Sequence, residues 1–249
     1  MTAYLDFCEE LFQNWLNHRL DLSDFDADFQ VEHVPEPYYI LKEGKKPLYV
    51  LNYNPGEGLP QQTRKSILAH PHDSYCAVAK RLSEFYRNEF TGKAIKRNEK
   101  ILKFAKAMGY DGVVCVETFF LHSANWPIDK KMAFVESSRK NKLVQKYNRV
   151  LKNFLKSKPV LRVSAVSTKK IINLKNRKTF SNVWVKYQND IMGVDLNSMT
   201  FVPIPPKGKG RVTSCIYVGK KEKYVSFMMG GNNLPKLNQE RYTKLSKAK

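Results

Sequence analysis

The sequence predicts an α/β protein, built as a three-layer α/β/α arrangement around a central, mostly parallel four-stranded sheet. Short apolar, β-branched runs at 48–51, 112–120, 160–166 and 224–229 each break into a polar or glycine-rich loop. The segments between them carry apolar residues at helical spacing, so strand and helix alternate along the chain. At 249 residues and 28.9 kDa the chain can bury a substantial core without a second domain.

In chain order, residues 4–19 set Leu5, Cys8, Leu11, Phe12, Trp15 and Leu16 on one helical face, with acids in the early turns where the helix dipole favours them. The acidic, aromatic stretch 21–36 reads as a loop or short strand, so 1–40 is expected to be an acidic helical segment packed on one 41–249 domain. Helices are expected from 66, over 74–90 and over 94–108. In the last of these Lys96, Arg97, Lys100, Lys103 and Lys106 alternate with apolar residues, the pattern of a solvated face. A further helix is expected over 137–156, and a capped helical turn from Ser167 after the strand at 160–166. The segments 183–185, 200–204 and 212–218 read as extended, and the basic end 241–249 as frayed helix or tail.

Charge is the strongest compositional signal. The chain holds 43 Lys and Arg against 23 Asp and Glu, a net charge of +20. Residues 1–40 contain nine acids and a single base, Arg19, which leaves +28 on the remainder. Basicity of this size, spread over many segments, points to a polyanionic partner, and DNA fits better than a membrane surface. No apolar run approaches the ~20 residues that cross a bilayer, and no signal-peptide pattern opens the chain, so a cytoplasmic monomer with no obligate protein partner is expected. Cys8, Cys76, Cys115 and Cys215 form no CxxC pair, and the cluster His70, His72 and Cys76 lacks a fourth ligand, so neither metal nor cofactor is expected.

The chemistry is expected in the loop after the first apolar run. Pro55 fixes its own φ and holds Asn54 extended, while Gly56 and Gly58 admit backbone shapes that a Cβ forbids. Asn54 is therefore held at a strand's carboxyl end, where open α/β sheets bind ligands. A parallel sheet brings the loops after its other strands to the same edge. These are the 121–127 loop with His122 and Asn125, the 167–170 segment with Lys169 and Lys170, and the 230–235 loop with Gly231, Asn232, Asn233 and Leu234.

This arrangement resembles the uracil-DNA glycosylase superfamily, its mismatch and single-strand-selective branches above all. There a first motif, Gly-x-Asn-Pro-Gly, follows the first strand, and here Asn52-Tyr53-Asn54-Pro55-Gly56 stands in that place. The resemblance implies that Asn54 positions the attacking water and that Asn52, Tyr53, Pro55 and Gly56 line the base pocket. It implies further that the 229–235 loop, after the last core strand, inserts into DNA with Leu234 as the apolar wedge. Glu57 is a second group to orient water, and Glu117 suits the exocyclic amino group of a cytosine-type base. Phe119 and Phe120 supply a ring to stack on the base, one facing the pocket and the other the core. Lys169 and Lys170 are expected on phosphate. Three departures stand out. Asn52 replaces the first glycine, the second motif lacks the histidine that helps the base leave, and the central strand lacks the pyrimidine-reading asparagine. Members that remove modified bases from invading phage DNA make a hypermodified cytosine, glucosylated cytosine included, an admissible substrate. Other readings of the same residues are a non-catalytic nucleic-acid-binding module, a nucleotide-handling α/β enzyme, and a metal nuclease.

Overall fold

The computed structural model describes residues 3–21, 29–53, 58–70, 73–88, 93–123, 128–166, 183–204, 214–229 and 234–249. Among them the strands are β1 (Tyr38–Lys42), β2 (Pro47–Asn52), β3 (Gly112–Glu117), β4 (Val160–Val166), β5 (Thr200–Ile204), β6 (Ser214–Gly219) and β7 (Lys223–Met229). They form one mixed sheet in the order β1-β3-β2-β4-β7-β6-β5. The four apolar runs singled out in the sequence are its parallel middle, β3-β2-β4-β7. The expected four-stranded sheet is therefore too small. β1 adds antiparallel to β3 at one edge, and β6 and β5 add antiparallel beyond β7 at the other.

Alternation along the strands, combined with their register, assigns each side chain to a face. Val50, Asn52, Cys115, Glu117 and Tyr224 turn one way; Tyr49, Leu51, Val116, Arg162 and Phe227 turn the other. Helix α4 (Lys93–Ala107) covers the first face, where Phe104 meets Tyr224 edge-on with ring centroids 5.4 Å apart. Helices α6 (Lys142–Leu155) and α7 (Val183–Met192) cover the second, where Phe154 meets Tyr49 at 5.2 Å. Layers of helix on both faces of the sheet make the architecture α/β/α. Helix α3 (Tyr75–Asn88) lies along β1, and its Ser83 Oγ accepts the Ile40 N–H at 2.8 Å, satisfying an edge donor that would otherwise invite pairing with another chain.

The acidic amino-terminal helix α1 (Ala3–Leu16) buries Tyr4, Phe7, Cys8, Leu11, Phe12 and Trp15. The Tyr4 hydroxyl donates to the Pro37 carbonyl at 2.9 Å, and Glu9 accepts the Tyr75 N–H at 2.7 Å, so the helix is tied to β1 and α3 together. Three sequence expectations need correction. Residues 183–185 are the first turn of α7 and not a strand, because Trp184, Val185, Gln188 and Ile191 form a buried helical face that outweighs local β-propensity. The helix expected over 137–156 is two helices, α5 (Ile128–Ser138) and α6, and Asn141 caps the second by accepting the Val144 N–H at 3.1 Å. The basic end is not frayed: α8 (Gln239–Lys247) buries Leu245, and Lys249 reaches Glu222 at 2.8 Å. Helix α2 (Arg64–Leu68) follows the 58–62 segment. Among the described residues no helix is long and apolar enough to cross a membrane.

Candidate functional site at the carboxyl edge of the sheet

The chain passes from β2 to β3 on one side, and from β4 to β5, beyond β7 and β6, on the other. Diverging connections of this kind make a topological switch point between β2 and β4, the place at the carboxyl edge where open α/β sheets bind ligands. Asn52 is the last residue of β2 and stands in register with Glu117, the last of β3. Its Nδ2 donates to Glu117 Oε1 at 2.7 Å, and its Oδ1 accepts from the Arg97 guanidinium of α4. The Asn52 carbonyl accepts from Thr118 Oγ1 and, at 3.0 Å, from Gln188 Nε2 of α7. Four side chains, from β3, the residue that follows it, α4 and α7, thus fix the residue that precedes Tyr53 and Asn54. Asparagine is the side chain that can bridge a carboxylate and a guanidinium here, since its amide offers a donor and an acceptor together. The glycine of the resembled motif cannot do this.

Glu117 is fully buried, and its Oε2 has no hydrogen-bond partner among the described residues. Burial pushes its carboxyl up to about 7, against the opposing pull of the Asn52 hydrogen bond and the Arg97 charge. At neutral pH it therefore populates both protonation states, and it keeps one oxygen for a further contact.

On the opposite face Arg162 of β4 is also fully buried. Its Nε donates to Gln188 Oε1 at 2.7 Å and its Nη1 to Asn189 Oδ1 at 3.1 Å. Gln188 also donates to Thr118 Oγ1 at 2.7 Å, which joins Arg162 to the Asn52 network through one side chain. Burial lowers the guanidinium to about 10, and it remains charged at neutral pH. Tyr53, half-buried and next after Asn52, stacks on Trp184 with centroids 5.7 Å apart.

The far end of the Asn54 loop is held as well. The Gly58 N–H donates to Gln30 Oε1 at 2.7 Å, and a Cβ at Gly58 would lie 2.4 Å from the His33 ring, so this close approach requires glycine. His33 lies 5.7 Å from His122, ring to ring. His122 is buried, with Nε2 3.1 Å from the Val34 carbonyl and 3.9 Å from Glu36, which in turn accepts from Gln62 at 2.9 Å.

The structure thus brings Asn52, Tyr53 and Glu117 to one end of the candidate loop and His122 to the region of the other. Asn54, Pro55, Gly56, Glu57, Asn125, Lys169, Lys170, Gly231, Asn232 and Asn233 lie outside the described residues, as does His72 of the cluster considered for metal. Phe119 and Phe120 depart from the expected division between pocket and core. The strand ends at Glu117, and both rings are fully buried, Phe119 against Phe134 at 4.4 Å and Phe120 against Tyr147 at 5.1 Å. Leu234 likewise belongs to the core, where the surface position that an inserting wedge needs is lost. Arg97, assigned by periodicity to a solvated face, turns inward to Asn52.

An apolar-floored cavity of about 420 Å³ lies elsewhere, beside Met192, Met199 and Lys223 at the amino edge. Lys223 there donates to the Lys158 carbonyl at 2.8 Å and to that of Leu155, which caps the end of α6. Its position beside a helix terminus gives it a structural role, and the chemistry is better sought at the carboxyl edge.

No protein-family model, no curated protein and no solved structure matches the chain.

Proposed function

We propose that the protein is a DNA glycosylase that hydrolyses the N-glycosidic bond of a flipped, modified pyrimidine, with a cytosine-type base preferred. The observation that carries this reading is the clamp on Asn52, which supports a rigid launch of the Asn-Pro-Gly loop at a topological switch point. Asn54, with Glu57 beside it, would then orient water toward the sugar's anomeric carbon. Glu117 Oε2, buried and unpartnered among the described residues, suits an exocyclic amino group, which uracil lacks. The base must leave the helix stack to reach such groups, and the net charge of +20 supplies the attraction for the phosphate backbone. Removal of hypermodified cytosine from phage DNA is the setting that the resemblance favours.

Incubating the pure protein with DNAs of different base content and then treating them with alkali tests the reading. A glycosylase leaves abasic sites that break only after alkali. Strand breaks before alkali would identify a nuclease, and an intact but retarded duplex a binding module. Binding is expected to weaken by about 10³-fold or more between roughly 50 and 200 mM salt, since each lysine or arginine on phosphate releases counterions. A filter-binding or anisotropy titration measures this, and a flat salt response would remove the nucleic-acid partner.

A further inference from the structure

Arg162 is a positive charge buried without an opposite one among the described residues. It is fully buried on β4, and no ion pair among the described residues includes it. Its Nε and Nη1 reach only the amide oxygens of Gln188 and Asn189, and the Phe227 ring lies 5.6 Å from the guanidinium carbon. Its Nη2 has no hydrogen-bond partner among the described residues. Amide oxygens and a ring face solvate a cation but do not neutralise it, and an uncompensated buried charge is strongly unfavourable. Such a group in a core is explained when a ligand brings the missing charge.

The surroundings indicate the kind of ligand. Arg162 is one side chain removed from the end of β2, through Gln188, and therefore adjoins the switch point. On the same side the half-buried rings of Tyr53 and Tyr187 flank buried Trp184, at 5.7 and 5.5 Å, so the two tyrosines give a wall of flat rings beside a cation with N–H groups to spare. A wall of this composition matches a planar heteroaromatic ring that carries negative charge.

We propose that Arg162 receives the negative charge of a pyrimidine-type anion bound at this edge. The source of that anion rests on the glycosylase reading. When the bond between the anomeric carbon and the ring nitrogen breaks, its electron pair stays with the base. Water supplies the oxygen that bonds to the sugar and gives up a proton to solvent, and the base anion takes up a proton after release. Arg162 acts while the base carries the charge. It fills a role for which the second loop holds no histidine.

The test compares 5-nitrouracil, a ring anion at neutral pH, with thymine, a neutral ring of similar outline, by calorimetric titration of the whole chain. The wild type is expected to bind the anion about tenfold or more tightly, the scale of a hydrogen bond to a charged group. Arg162→Gln should abolish the preference and Arg162→Lys should keep part of it, with circular dichroism reporting the fold of each. Should Arg162→Gln not fold, the Arg162 Nε–H resonance of the wild type takes its place, and it must shift with 5-nitrouracil and not with thymine. A wild type without the preference, a preference that survives Arg162→Gln in the folded variant, or an unmoved resonance would overturn the proposal. Base release measured in parallel separates the two ideas. Release without an Arg162-dependent preference sinks this inference alone, and the preference without release sinks the glycosylase reading alone.

Discussion

Replacing Asn54 with alanine is expected to slow base release ~10²-fold or more, equivalent to roughly 3 kcal/mol at the transition state, while DNA affinity and melting temperature stay close to the wild type. The separation follows from where the loop is held. Its entry is fixed at Asn52 by Glu117, Arg97 and Gln188, and its exit at Gly58 by Gln30, so both ends are anchored by other side chains. In the proposed function DNA affinity comes from phosphate contacts of dispersed lysines, which position the duplex without reading it. Single-turnover rates on a verified substrate, with anisotropy for affinity, measure both halves. Full turnover by Asn54→Ala would remove its catalytic role, and unfolding would make the loop a structural turn.

Raising the pH from about 4.5 to about 7 is expected to cost the wild type on the order of 3 kcal/mol that Glu117→Gln does not lose. Burial raises the folded-state pKa of Glu117 from 4.5 to about 7, so between these values the folded protein holds a proton that the unfolded chain has released. The contribution is complete below the unfolded value, fades as pH climbs through the folded one, and is absent above it. Glutamine keeps an acceptor for the Asn52 amide and cannot ionise, so its stability lacks this term. The difference between the two proteins isolates Glu117 from Asp111, Glu222 and Glu240, whose carboxyls are lowered and act in the opposite sense. Chemical denaturation across this pH range checks it, and parallel profiles for the two proteins would contradict it.

The parallel middle of the sheet was legible because apolar, β-branched runs bounded by turns have few other ways to be buried. β1 was not, since Tyr38-Tyr39-Ile40-Leu41 follows an acidic stretch and pairs antiparallel at an edge, where no crossover announces it. α7 was read as a strand because Val183-Trp184-Val185 is locally β-like, and only the four-residue step to Gln188 and the further step to Ile191 reveal the buried helical face. At the site, Asn52 and Glu117 could be found as the polar residues that end two apolar runs. Arg97 could not, because a helix's charged positions do not say which one turns inward. Arg162 stood in plain view as an arginine inside an apolar strand, a signal of buried charge that outranks the surface lysines around it. Phe119, Phe120 and Leu234 err in the other sense: large apolar residues near a loop look available for stacking, and burial claims them first.

Mass spectrometry of a defined oligonucleotide with one glucosylated 5-hydroxymethylcytosine, beside matched oligonucleotides holding uracil and unmodified cytosine, tests the central claim most directly. The account predicts an abasic product and the free modified base, with little release of uracil, because Glu117 offers an acceptor where uracil has no amino group. Unchanged masses for every oligonucleotide in a panel of modified pyrimidines, or backbone fragments with every base still attached, would contradict it.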